Sequence, residues 1–188
     1  MSRYFFLLIF FCAFSFSSFS QELSDKSIKV GAGLAINEGY REIGTGTVFQ
    51  LGYQKQYWEN RLRLNPYMLT GGFIPFGITD TPDQYFRITT LGTNLYLDVI
   101  RIKPFSLFAG TGLWANYSRG LIGTGGMDEP RTSSDYFFRT YIGGSLHAGI
   151  RLAPQKSRLA WEITPFNVHF GSGYFMLGYL KIGVDISL

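Results

Sequence analysis

The sequence predicts an all-β chain, a closed eight-stranded antiparallel up-and-down transmembrane β-barrel. Three observations predict it. Eight segments alternate apolar and polar residues with a period of two, and none has a helical period. Their polar faces are mostly Gly, Ser, Thr, Asn and Gln, where a water-facing surface would carry many more Lys and Glu. Charged residues make up 16% of the chain, against about 25% in soluble domains, while aromatics reach 18%.

The first element is an export signal. Met1 to Ser20 reads MSRYFFLLIFFCAFSFSSFS, with a basic Arg3, an apolar run from Tyr4 to Phe14 and a small-residue end at Ser18-Phe19-Ser20. That is the layout of a secretory signal peptide, and the run is too short to span a bilayer. Cleavage is expected after Ser20, leaving residues 21–188 as one barrel domain. Bulky Phe10 and Phe11 before Cys12 argue against a lipoprotein signal. Cys12 is the only cysteine, so the mature chain holds no disulfide and no zinc-thiolate site. No cofactor or metal is implied. The net charge of +4 is scattered, with no basic run, which makes nucleic acid a poor partner.

The strands follow in order. Ser27 to Ile36 sets Ile28, Val30, Ala32, Leu34 and Ile36 against Lys29, Gly31 and Gly33. Gly44 to Tyr57 sets Phe49, Leu51, Tyr53 and Tyr57 against Gln50, Gly52, Gln54 and Gln56. In Arg61 to Phe73, Leu62, Leu64 and Met68 oppose Arg63, Asn65 and Tyr67. In Tyr85 to Val99, Leu91, Leu95, Leu97 and Val99 oppose Thr90, Asn94, Tyr96 and Asp98. The fifth segment, Lys103 to Tyr117, has Phe105, Leu107, Ala109 and Leu113 opposite Ser106, Phe108 and Asn116. The sixth, Tyr136 to Leu152, has Phe138, Ile142, Leu146 and Ile150 opposite Arg139, Ser145, His147 and Arg151. The seventh, Leu159 to Val168, sets Leu159, Trp161 and Ile163 against Glu162, Thr164 and Phe166, and the eighth runs from near Tyr174 to Leu188.

Two kinds of connection join them. Short turns are expected near Trp58-Glu59-Asn60, Ile100-Arg101-Ile102 and Ala153 to Arg158. The opposite rim carries Asn37 to Ile43, Ile74 to Gln84, a long loop from Ser118 to Asp135, and His169 to Gly173. Short turns on one rim and longer loops on the other are the outer-membrane pattern. Two aromatic girdles are expected: Tyr57, Trp58, Phe105 and Trp161 at the short-turn rim, and Tyr85, Tyr117 and Phe138 at the long-loop rim. A soluble barrel gives no reason for that placement. The aliphatic faces therefore point to lipid and the polar faces inward, with small glycines making room for Phe108, Trp114, Tyr67, Tyr96 and Phe166.

On this pattern the chain resembles the small eight-stranded outer-membrane proteins of the OmpX and OmpA-barrel kind, and more specifically the outer membrane beta-barrel proteins of Bacteroidota. The resemblance implies a Gram-negative outer-membrane location, contact with outer-membrane lipid and lipopolysaccharide, and a non-enzymatic role of the loops in adhesion, partner binding or membrane integrity. It implies recognition of the last strand by the barrel-assembly machinery, where Leu188 replaces the usual terminal aromatic. An extracellular or periplasmic protein partner would dock on the loops, chiefly Ser118 to Asp135.

The inward charges form the candidate site, a structural ion-pair network of Lys29, Arg63, Asp98, Arg151, Glu162, Lys181 and Asp185. Expected neighbours are Glu162 with Lys181 and Arg151, Arg63 with Asp98, and Lys29 with Asp185. Arg139 is expected inward too. No catalytic residue is assigned. His169-Phe170-Gly171-Ser172 resembles the His-x-Ser-Asn motif of outer-membrane lipid A deacylases but is one residue too long and lacks the Asn. Ser145 and His147 on one inward face look like a nucleophile and base, yet a packed lumen offers no access to acyl chains. Gly123-Thr124-Gly125-Gly126 precedes no helix, so it is not a phosphate cradle. The loop acids Asp80, Asp83, Asp128 and Glu129 could bridge a divalent cation to lipopolysaccharide. The alternatives kept open are a lipid A-modifying enzyme and a narrow ion or small-solute channel.

Overall fold

The computed structural model describes residues 25–40, 42–58, 61–75, 84–102, 104–124, 133–154 and 157–188. The expected signal peptide, the acids Asp80, Asp83, Asp128 and Glu129, and Gly125-Gly126 lie outside the described residues. Eight strands follow one another: β1 Lys26–Gly39, β2 Glu42–Tyr57, β3 Leu62–Pro75, β4 Tyr85–Ile102, β5 Phe105–Thr124, β6 Ser133–Leu152, β7 Leu159–Gly171 and β8 Met176–Ser187. Each pairs antiparallel with its neighbours, and β1 closes on β8 through Ser27–Ser187 to Glu38–Met176. The fold is a closed eight-stranded up-and-down transmembrane barrel.

Burial is inverted relative to a soluble protein. Leu34 is 67% exposed and Leu113 75%, whereas Arg63 and Asn65 are fully buried. Every strand repeats the alternation, so the barrel wall is an aliphatic exterior around a filled interior. Closure satisfies the backbone, because an open edge in hydrocarbon would leave N–H and C=O groups unpaired at several kcal/mol each.

The connections differ from expectation at the long-loop rim. β1 reaches Gly39 and β2 starts at Glu42, so the stretch expected as a loop over Asn37 to Ile43 is a tight hairpin. The expected loop from Ser118 to Asp135 is mostly strand, since β5 extends to Thr124 and β6 begins at Ser133. His169 to Gly173 is the end of β7 and a short 3₁₀ turn over Ser172–Tyr174, with Gly173 at φ 65°. Alternation in these stretches runs through Ser, Arg and Gly, whose polarity reads as loop although the backbone pairs over residues 37–39, 118–124 and 133–135.

Two bulges reset the faces. Between Asp98 and Ile100, β4 carries an extra residue against β5, and Val99 and Ile100 both face outward. β7 carries one around Pro165, shifting its register against both β6 and β8. Proline has no N–H to give a ladder, which suits it to a bulge. Pro165 and Phe166 are both exposed, and inward positions then fall on Asn167 and His169. Phe166 is therefore a lipid-side residue and not, as expected, lumen filling.

The lumen interior

The interior is stacked in three levels, and the charges occupy the level nearest the short turns. Glu162 is its hub: Lys29 Nζ donates to Oε2, Arg63 Nη1 donates to Oε1, and Arg151 Nε lies 3.5 Å from Oε1. Arg63 Nη2 also donates to Asp98 Oδ1 at 2.8 Å. Asp185 Oδ2 accepts from Gln54 Nε2 at 3.0 Å and Arg151 Nε at 3.3 Å, while its Oδ1 lies 3.9 Å from Lys29 Nζ. Three cations meet three carboxylates, so the network is formally neutral. It rests on aromatic faces: Lys29 Nζ is 4.6 Å from the Tyr96 ring centre, and the Arg63 guanidinium 4.8 Å from that of Phe108.

Lys181 stands apart from its expected partner. Glu162 lies opposite Gly183, and Lys181 lies opposite Thr164. The bulge at Pro165 and the 3₁₀ turn displace the register that counting from the hairpin would give. Lys181 Nζ donates instead to Gln50 Oε1 at 2.7 Å and joins the middle level. Arg139 is on the inward face, opposite Ser118, but at the mouth, where it is exposed with its guanidinium 4.2 Å from the centre of the Tyr40 ring.

The middle level is built of amides and histidines. His147 Nδ1 lies 2.9 Å from Asn167 Oδ1, and its Nε2 lies 3.0 Å from Ser145 Oγ and 3.1 Å from Asn94 Oδ1. Asn167 spends both amide hydrogens on the carbonyls of Thr164 and Tyr179, so its oxygen accepts from Nδ1–H. Nε2 is within reach of both the Ser145 hydroxyl and the Asn94 amide oxygen, to which Ser145 Oγ donates at 3.3 Å. These distances match a nucleophile, base and orienting group. Ser145 has no exposed surface, however, and the pair is enclosed by Gly112, Asn94 and Tyr96, where no acyl or glycosidic bond can reach it. It is a satisfied polar core.

His169 is the residue that pattern reading misplaced. It is fully buried, its Nε2 lies 3.2 Å from Tyr179 Oη, and the Trp114 ring stacks on it at 5.5 Å. Ser172 lies on the other side of the wall, where its Oγ accepts from the Ile142 N–H at 3.2 Å. The two cannot act as base and nucleophile.

The level below the loops is apolar: Val48, Leu69, Phe73, Phe86, Ile88, Leu177 and the rings of Tyr141 and Phe175 pack together. Phe73 stacks on Phe86 at 5.2 Å, and the Tyr141 ring lies tilted against Phe175 at 4.7 Å. Above them, buried Glu42 accepts from Ser118 Oγ and from Tyr141 Oη at 2.7 Å, tying β2 to β5 and β6 across the mouth. Among the described residues no cluster of His, Cys, Asp and Glu could hold a metal ion.

On the outside, Tyr57, Trp58, Phe105 and Trp161 are exposed at the short-turn rim, and Tyr85, Tyr117 and Phe138 at the long-loop rim, joined there by Tyr40, Tyr136 and Tyr174. Phe49 lies on the exterior between the rims, opposite Ala32 and Thr70.

No protein-family model and no curated protein matches the chain in sequence. Solved structures do match the fold. Neisserial surface protein A superposes with a TM-score of 0.64 at 15% identity, over 89% of this chain and 100% of that one. The attachment invasion locus protein of Yersinia pestis superposes with a TM-score of 0.58 at 12% identity, again over 89% and 100%. A second structure of that protein, in complex with the heparin analogue sucrose octasulfate, gives 0.51 at 11% identity over 87% and 97%.

Proposed function

We propose that this protein is an integral outer-membrane barrel of a Gram-negative cell, exported with loss of residues 1–20, whose lumen is a sealed structural plug and whose working surface is the long-loop rim. The observation that carries the reading is the inverted burial. Arg63, Lys29 and Glu162 are interior while Leu34, Leu113 and Ile182 are on the surface, an arrangement stable only where the surrounding solvent is hydrocarbon. The girdles fit the two interfaces of such a solvent. In this reading the ion-pair network is structural, and the protein is not an enzyme.

Loop-rim adhesion or partner binding is the first role to test, supported by the name of the Yersinia attachment protein that shares the fold. The test begins with location. The mature chain should fractionate with outer membranes and run faster on gels unheated than boiled. A water-soluble periplasmic product, indifferent to boiling, overturns the reading.

A further inference from the structure

Two arginines on the outer wall have no use in the barrel itself. Arg87 of β4 and Arg119 of β5 are register partners, face outward and are exposed. Like charges directly opposite across antiparallel strands repel each other and destabilise the pair. Among the described residues no carboxylate neutralises either one, and Arg119 makes no side-chain hydrogen bond. Arg87 is held in place: its Nε donates to Tyr85 Oη, and its guanidinium lies 5.1 Å from the centre of that ring. Gly72 on β3 makes room for the bracing ring, since a Cβ there would lie 3.1 Å from the Tyr85 hydroxyl. The bracing uses Nε, and the terminal amino groups of Arg87 make no hydrogen bond to a described residue.

Height on the wall identifies the ligand. Along β5 the outward residues from Phe105 run through Leu107, Ala109, Thr111, Leu113 and Ala115 to Tyr117. At ~3.3 Å per residue and a tilt of ~40° that stretch is about 30 Å high, the thickness of a hydrocarbon core. Arg119 is the next outward residue beyond Tyr117, flanked by Arg87 on β4 and by Phe138 on β6. The pair thus stands at headgroup level on the long-loop side, outside the lumen.

We infer that Arg87 and Arg119, with Tyr85 as a positioning residue, form a clamp for the phosphate of a phosphorylated glycolipid headgroup in the outer leaflet. Directly opposed residues have Cα atoms about 4.5–5.5 Å apart, so two guanidinium forks reach one tetrahedral phosphate. The bound dianion turns the cross-strand repulsion into attraction. The inference rests on the membrane reading above.

The test uses the full mature chain refolded into phosphatidylcholine vesicles, with and without bisphosphorylated lipid A, and follows the temperature at which the barrel loses its compact gel form. Compact migration in phosphatidylcholine alone checks the membrane reading independently. Lipid A should raise the wild-type midpoint and dephosphorylated lipid A should not. The Arg87→Gln/Arg119→Gln variant should be at least as stable as wild type in phosphatidylcholine, since the repulsion is gone, yet bind lipid A about tenfold to hundredfold more weakly. Tyr85→Phe should weaken binding less than loss of either arginine. Equal stabilisation of wild type and double variant by lipid A overturns the clamp. Stabilisation of wild type by inorganic phosphate alone, matching that by lipid A, overturns the lipid assignment.

Discussion

Glu162 and Lys181 show how differently two buried charges on neighbouring strands can be held. Glu162 is bonded to Lys29 and Arg63 and lies beside Arg151, so removing it strands several cations in a low-dielectric interior. Breaking a buried pair from one side costs about 3–5 kcal/mol. Glu162→Ala should therefore lower the stability of the refolded barrel by about that amount, read from urea titrations of tryptophan fluorescence in vesicles. Lys181 is the cation left over from the three balanced pairs, and its direct partner is a neutral amide. Lys181→Met keeps most of the side-chain volume and removes a charge, so its change should stay within about 1 kcal/mol. A larger loss from Lys181→Met than from Glu162→Ala would show that the hub is misassigned. Most of this network was legible in the sequence, because Lys29, Arg63, Asp98, Arg151 and Asp185 sit at inward positions of unbroken alternation. Lys181 was not, because its partner depends on a register that a bulge sets.

At the level of the strand, Pro165 explains why the last third of the sequence was harder to read than the first. Alternation in Leu159 to Ile163 places odd residues outward, and carrying it forward puts His169 in lipid or in a loop. The extra residue at Pro165 flips the phase, so Asn167 and His169 enter the lumen. A signal was present in the polar spacing of Asn167 and His169 after a proline, but a loop gives the same pattern. Tight packing of the wall has a similar local logic. A Cβ on Gly143 would lie 2.1 Å from the Phe170 carbonyl oxygen and 2.7 Å from the Trp114 ring, whereas one on Gly178 would meet nothing within 4 Å. Overpacking of this kind costs about 1–3 kcal/mol. Gly143→Ala should be destabilised by that amount and Gly178→Ala should be neutral or gain a few tenths, about what reduced unfolded-chain entropy supplies. Equal effects of the two substitutions, in the same urea titration, would contradict the packing of β6 against β7.

On the plug reading proposed above, the two ends of the lumen are closed by different chemistry, and this decides what can pass. An ion entering from the short-turn side meets the Glu162 network, where every carboxylate already has a cation. An ion entering from the loop side must first pass Glu42 and its hydroxyl partners, then a layer of Leu69, Phe73, Phe86, Ile88 and Leu177, whose side chains carry no polar atom to replace its water. Desolvating a charge against apolar side chains costs several kcal/mol or more. The seals act in series, so opening one leaves the other closed. Wild type in planar bilayers should show no conductance steps. Glu162→Gln combined with Lys29→Gln, which removes the hub charge and one of its cations, should remain silent because the apolar level is intact. Phe73→Ala with Phe86→Ala should remain silent as well, since ions that wet the mouth still meet the charged plug. Only all four substitutions together should admit current, in protein that still shows compact gel migration. Steady conductance from wild type would replace the plug by a channel, and conductance from the first pair alone would place the whole barrier at Glu162.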